Sequence, residues 1–376
     1  MNCLEGIRVL DLSRLLPGPY ATQMMANLGA EVIKVERPPQ GDYMRMIGPM
    51  MEIGEGERAE MMSAVFAQVN RGKQSIALDF SSRRGRQVLL RLVQTADVLV
   101  ESFRPGALDR RGLGYEATRL VNPRLVYCSL SGYGVNGPLQ DRAGHDANYM
   151  ALAGVLNLNA NFGATPSLFP LQVADLAGGV TAAFRILAAL VERDRTGQGR
   201  HLELALFDTA VDWMRTIVGA FFFAEGRNPD RGALPLTGLY PCYHIYPTSD
   251  GGYMSLGALE ANFWRGFCEA LGRDDLIDRQ FDGDLIVEMN DIFRSRSRDE
   301  WVEFARSADV CLEPLLQVSE TLQHPQVIAR DLAAPDSRPV PRMGEHSIRV
   351  LESGGFSSEE IEELERAGVI RRDNQD

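Results

Sequence analysis

The 376-residue chain is poor in the features that mark membrane, disulfide-rich and metal-binding proteins. No run of apolar residues approaches the length of a membrane span, and the opening MNCLEGIRVLDL has a strand pattern rather than that of a signal peptide. The cysteines, Cys3, Cys128, Cys242, Cys268 and Cys311, are scattered without CxxC spacing. Reduced structural thiols in a cytoplasmic protein are therefore expected. The histidines, His145, His201, His244, His324 and His346, show no metal-ligand spacing either, so no metal is expected. Basic residues are the minority, 39 against 51 acidic ones, and the net charge of −12 argues against nonspecific nucleic-acid binding. That balance still leaves room for a local basic pocket. No internal repeat or low-complexity block is present, and no GxGxxG follows the first strand, which weakens a dinucleotide-redox reading.

What is present is an alternation of short apolar strands and helices. Strands are expected at Ile7–Leu12, Glu31–Glu36, Ser75–Asp79, Ala96–Glu101 and Leu125–Leu130, with helices at Tyr20–Leu28, Arg84–Gln94 and Glu116–Val121 between them. Gly29 suits the C′ position of the first helix. This order implies an α/β fold, a parallel sheet covered by helices on both faces, with its ligand beyond the carboxyl ends of the strands. The methionine-rich segment 42–62 reads as a loop that fills an irregular core or lids an apolar ligand. An amphipathic helix is expected over Leu176–Arg193, then a long apolar helical run from Glu203 to about Ala224 that bridges domains or forms a subunit interface. A hairpin, Tyr243–Tyr246 and Tyr253–Leu256 around the turn at 249–252, begins a smaller α+β domain with helices at Asn262–Leu271, Ile286–Arg294 and Arg298–Ala308. Ser357 and Glu360 form a capping box for a last helix.

Two groups of residues carry candidate chemistry. Asp175 lies in the small, apolar run LQVADLAGG at a helix start, and His145 lies in GHDANY where a loop enters a buried element. An isolated carboxylate and an imidazole beside flexible glycines suit proton transfer or acyl capture. Equally, Asp175 is a helix cap favoured ionised by the helix dipole, and His145 a satisfied loop residue. Arg37, Arg71, Lys73 and Arg104 stand at strand termini in an acidic protein. They suggest an anion-binding rim for phosphates, or else solvated surface charges.

Several stretches together resemble one family. GIRVLDLSRLLPGPYATQMMANLGAEVIKVERPPQGD, NRGKQSIALDF, ADVLVESFRPGALDRRGLGY, LVYCSLSGYGVNGP and the DLAGG segment are similar to the class III CoA-transferase superfamily, across nearly the whole chain. The resemblance implies a Rossmann-like large domain over 1–200, completed by 325–376, a linking helix at 201–225, and a small domain at 226–324, in an interlocked homodimer. It implies a coenzyme A thioester as substrate, no tightly bound cofactor, no membrane or nucleic-acid partner, and Arg37, Lys73 and Arg104 as contacts to the CoA adenine and phosphates. Two chemistries compete within it. In the transferases the aspartate matching Asp175 takes the acyl group as a mixed anhydride. In the 2-methylacyl-CoA racemases it is a base facing a His–Glu pair, matched here by His145 and by Glu260 in GALEANFW. Only Gly257 remains of the glycine-rich loop that formyl and oxalyl transferases carry near Glu260, which tilts the expectation toward the racemase. A catalytically inert acyl-CoA-binding subunit is the third reading, opposed by the retention of all three residues.

Overall fold

The computed structural model describes residues 2–54, 59–160, 164–334 and 336–373. Contacts divide the chain into two compact units, one of residues 1–153, 169–216 and 336–376, the other of 154–168 and 217–335.

The first unit is built on a seven-stranded sheet. In spatial order its strands are Ile370–Arg371, Gln74–Leu78, Glu31–Glu36, Arg8–Asp11, Val98–Glu101, Val126–Ser131 and His201–Ala205. All neighbours run parallel except the short C-terminal strand, which pairs antiparallel with Gln74–Leu78. The central strands are valine-, isoleucine- and leucine-rich because both faces are covered; Leu10, Ile33, Ile76, Val98 and Val126 are buried. Strand order runs outward in one direction from Arg8–Asp11 and then in the other from Val98–Glu101, so the crossovers part between these two strands.

The long helix Val173–Thr196 begins three residues earlier than its periodicity predicts, which puts Asp175 inside the first turn. Its buried stripe is Ala174, Ala177, Gly178, Gly179, Ala182 and Ala183, small enough for neighbours to come close. A Cβ on Gly179 would stand 2.8 Å from the Pro17 carbonyl oxygen of the first helix, Pro17–Asn27. Among the described residues this helix alone has the length and apolarity of a membrane span, with a mean hydropathy of 1.6, against the expectation that no run approaches that length. Half of that window is nonetheless packed inside the protein, as in a core helix.

The run expected as a linking helix at 201–225 opens with a strand. His201–Ala205 pairs with Val126–Ser131, and only then follow the helix Leu206–Met214, a π turn at Arg215–Gly219 and the helix Ala220–Glu225. No proline or glycine separates the strand from the helix, so the sequence shows one apolar run. The methionine-rich loop likewise contains an antiparallel hairpin, Met50–Ile53 with Glu60–Ser63. The helix Ser347–Ser353 buries Val350 and Leu351 in the core of the first unit, and the last helix, Ser358–Arg366, adds Ile361 and Leu364.

The second unit packs the hairpin Tyr243–Pro247 and Tyr253–Gly257, extended by Leu312–Pro314, against the helices Ala261–Leu271, Leu285–Arg294 and Arg298–Ser307. Its core is aromatic, with Trp264, Phe267, Phe293 and Trp301 buried. Ser297 and Glu300 form a capping box at the third of these helices.

Beneath the carboxyl ends of the central strands of the first unit lies a buried network of charges. Asp11 ends the first strand and accepts from Lys73 Nζ at 3.0 Å and Thr22 Oγ1 at 2.7 Å. Lys34 Nζ reaches Asp42 at 3.0 Å and the Ser13 carbonyl at 3.1 Å. Glu36 is clasped by Arg45 at 2.7 Å and accepts from Ser75 Oγ at the same distance. Burial alone would push Asp11 up, but Lys73 and Lys34 outweigh it and hold the carboxyl well below the usual range. Burial brings Lys73 down to about 8 against the pull of Asp11. Removing one partner of such a pair strands a charge in low dielectric. Lys73→Ala is expected to lower the unfolding free energy in denaturant titration by about 3–5 kcal/mol. Arg104→Ala, at an exposed site, should change it by about 0.5 kcal/mol or less. Equal effects would mean that Lys73 is not part of the core.

Candidate active site

The parting of the crossovers is where an open parallel sheet leaves a crevice for a ligand. Here a cavity of about 360 Å³ opens at that point. Leu12, Ser13 and Arg14 line it after the first strand, Glu36 and Arg37 after the second, and Phe80, Phe103 and Arg111 close its other sides. The loop carrying Arg14 is pinned from several directions. Lys34 holds the Ser13 carbonyl, Ser102 Oγ accepts from Arg14 N–H at 3.0 Å, and Asp42 accepts from Leu15 N–H at 3.2 Å. Leu15 sits at φ +65°, a backbone cost that these bonds offset. The Arg14 guanidinium lies 4.8 Å from the centre of the Phe103 ring and 5.8 Å from that of Tyr43. Aromatic faces and guanidinium planes beside phosphate-binding cations suit a nucleotide.

Of the cations expected at this rim, the structure presents some and buries others. Arg37 is exposed on the cavity, 3.9 Å from Asp79. Arg104 is exposed on a neighbouring cavity of about 310 Å³ that shares Phe103 and Leu108 with the first. There Ser129 Oγ lies 3.0 Å from His201 Nε2, the His201 ring stacks on Tyr115, and burial raises the Glu101 carboxyl to about 7. Lys73 corrects the expectation of a CoA contact. Its side chain is fully buried and its ammonium is bonded to Asp11, Thr22, Asn70 and the Pro19 carbonyl. Arg71 lines a different cavity and donates to the Arg338 carbonyl. Arg14 and Arg111, not singled out from the sequence, take their place at the crevice. Only the fold reveals them, since a loop arginine among 39 basic residues carries no sequence signal.

Of the candidate acid–base residues, Asp175 lies at the start of the long helix. A helix start leaves backbone N–H groups without partners, and the sequence suggests that Asp175 would cap them. It does not. Asp146, from the GHD motif, accepts from Ala174 N–H at 2.6 Å and from Asp175 N–H at 3.2 Å. Two first-turn donors are thus occupied by another carboxylate rather than by Asp175. The electrostatic consequence is opposite to the sequence expectation of a favoured ionised form. Burial, and then the negative charge of Asp146, push the Asp175 carboxyl up to about 7.

His145 precedes Asp146 and caps the helix Asp146–Leu152, with its imidazole exposed and its N–H donating to Asn148 Oδ1 at 3.0 Å. The structure therefore ties Asp146, the residue after His145, to the helix start that carries Asp175. Tyr149 backs this corner. Its hydroxyl donates to the Gly144 carbonyl at 2.6 Å, and its ring meets Tyr133 edge-on with centroids 5.1 Å apart. A Cβ on Gly144 would stand 2.7 Å from the Tyr149 ring and 2.9 Å from the Tyr133 hydroxyl, so the loop passes only as glycine. Glu260 lies in the second unit, exposed at the N-cap of Ala261–Leu271. No group of three or more His, Cys, Asp or Glu among the described residues could hold a metal ion.

Comparison with known proteins gives a match of residues 4–353 to the family model described as CoA-transferase family III. The alpha-methylacyl-CoA racemase of Homo sapiens is 32% identical over 398 residues, covering 98% of this chain and 97% of that protein. The succinate–glutarate CoA-transferase of Agrobacterium fabrum is also 32% identical, over 401 residues and 97% of both chains. Among solved structures, a CAIB/BAIF family protein from Brucella suis superposes with a TM-score of 0.82 at 29% identity, covering 94% of this chain and 99% of that one.

A carboxyl raised from 3.8 to about 7 binds its proton more tightly folded than unfolded. The stability due to that proton is complete below the unfolded value and is lost as pH rises through about 7. Relative to the native chain, Asp175→Asn should therefore gain melting temperature as pH rises from about 4 to about 7. A difference that stays flat over this interval would show that the carboxyl titrates at its ordinary value.

Proposed function

Because the chain belongs to CoA-transferase family III, we propose that it acts on an acyl-CoA at the carbon beside the thioester. In this reading it epimerises a 2-methylacyl-CoA. Ionised Asp175 takes the α-proton from one face, the electron pair moves onto the thioester as an enolate, and protonated His145 returns a proton on the opposite face. The reverse reaction exchanges the two roles, and no bond to sulfur breaks. The observation that supports the reading is the Asp146 carboxylate, which ties the residue after His145 to the first turn carrying Asp175, a carboxyl pushed up to about 7. A base with its pKa near the working pH is the efficient choice for proton transfer. Glu260 would tune His145, a role that the motif alone supports. Arg37, with Arg14 and Arg111, would receive the adenine and phosphates at the crevice and Arg104 the phosphates beside it. Lys73, buried in its ion pairs, would act only by holding the loop beneath them.

Transfer of CoA between carboxylic acids is the second reading, favoured by the equal identity to a transferase. There Asp175 attacks the thioester carbonyl, the CoA thiolate leaves, and an aspartyl–acyl anhydride waits for the acceptor acid. A homodimer is part of either reading. Val180, Phe184 and Val191 form an exposed apolar stripe on the long helix, and Trp213 is exposed on the helix packed beside it. A cytoplasmic setting fits the free thiols of all five cysteines.

Incubation of a chiral 2-methylacyl-CoA in D2O without acceptor acid should place deuterium at C2, and His145→Ala should abolish the exchange. Acceptor-dependent turnover with a hydroxylamine-trappable acyl-enzyme, and no C2 label, would establish the transferase instead. Phe184→Asp is expected to shift the protein toward a monomer in light scattering. A monomeric native chain would sink the dimer.

A further inference from the structure

We infer that Asp146 is a positioning residue for the proposed reaction: its carboxylate holds the first turn of the long helix and thereby sets both the aim and the charge state of Asp175. The inference rests on the acyl-CoA reading only for its kinetic consequence, and its structural part stands alone. One oxygen of Asp146, Oδ1, spans two successive amides at 2.6 and 3.2 Å. That geometry fixes the backbone of Asp175 itself, at the third position of the helix. It also takes away the two donors that would otherwise favour the Asp175 anion, and replaces them with a like charge. The same carboxylate therefore orients its neighbour and makes it more basic, which a neutral cap could not do.

Among the titratable groups on elements packed against the long helix, His145 at the cap of Asp146–Leu152 included, only Asp146 is among the influences on Asp175. Tyr149 shares a helix with Asp146, and burial and then the Asp175 carboxylate push its hydroxyl up, so it stays neutral. Tyr133 lies behind Tyr149, and Tyr20 comes from the first helix, its ring beside Gly179. Asp208, on Leu206–Met214, and Cys128, on the strand beneath, are both raised by burial and feel the opposing charge of Arg185, farther along the helix. His201 and Glu203, on the edge strand, line the separate cavity with Arg104. No arginine or lysine is among the influences on Asp175.

The test uses the full-length protein labelled with ¹³C in its aspartate carboxyls, with the Asp175 signal assigned by its loss in Asp175→Asn. In Asp146→Asn the amide oxygen can still accept from the two N–H groups but the charge is gone. The Asp175 midpoint should then fall by about one pH unit or more. Asp146→Glu, which restores the charge, should return it most of the way. Asp146→Ala should in addition speed hydrogen exchange at the amides of Ala174 and Asp175. An unchanged midpoint in Asp146→Asn, with native near-ultraviolet dichroism, would overturn the inference, because burial alone would then explain Asp175. If Asp146→Asn loses that dichroism, Asp146→Glu decides, since a midpoint that leaves the native value there also overturns it. The acid limb of the C2 exchange rate should move by the same interval as the carboxyl midpoint. Absence of C2 exchange in the native protein would remove the proposed reaction without touching the NMR result.

Discussion

The hold of one carboxylate on the start of a 24-residue helix organises the chemistry of the first unit. The first turn of any helix offers N–H groups without partners, and the acidic residue in the turn is the natural candidate to satisfy them. Here Asp146 arrives from 29 residues earlier and occupies two of them, leaving Asp175 inside the turn without their support. A carboxyl that burial already penalises then meets a second negative charge, and the two effects act in the same direction. The approach of the loop depends on absent side chains. Gly144 and Gly132 lie flat against Tyr149, and any Cβ there would overlap the ring or hydroxyl. Thus two small residues, one edge-on aromatic pair and one shared oxygen tie the GHD loop to the helix turn that carries Asp175.

At the carboxyl ends of the central strands the same low dielectric is handled in the opposite way. Asp11, Lys34, Lys73 and Asp42 are buried, and each faces an opposite charge. Buried pairs of this kind contribute little net stability against an apolar core, but they hold geometry, because any displacement exposes an uncompensated charge. What they hold is the loop from Ser13 to Leu16, including a leucine in the left-handed region. The loop in turn presents Arg14 to the crevice between Phe103 and Tyr43. The division of labour follows from burial: compensated charges fix the floor, and exposed arginines supply the positive surface that an anionic ligand needs.

Family membership leaves two chemistries open, and the difference between them is a matter of one side chain's protonation and company. An aspartate that only attacks a thioester needs its anion and no second base. One that exchanges protons benefits from a pKa near neutrality, and the Asp175 carboxyl is pushed up to about 7. Support for the proposed second role comes from this electrostatic setting rather than from any group unique to it.

Much of this was legible in the residues. The alternation of apolar strands and helices gave the parallel α/β sheet, because burial on both faces demands continuous apolar strands and a connection long enough to cross. His145 and Asp175 stood out because titratable groups are rare in small, apolar runs. Local spacing misread three features for one reason, which is that each depends on a partner distant in the chain. The strand His201–Ala205 is a strand only because Val126–Ser131 lies beside it. Lys73 belongs to the core rather than to the rim because Asp11, 62 residues away, meets it there. Asp175 is not the cap because Asp146 is. Sequence alone determined most of the elements and which residues are capable of chemistry, since propensity and periodicity act over a few neighbours. Only the tertiary structure decided the charge each of them carries, since solvation and Coulomb forces depend on distance in space and not on distance along the chain.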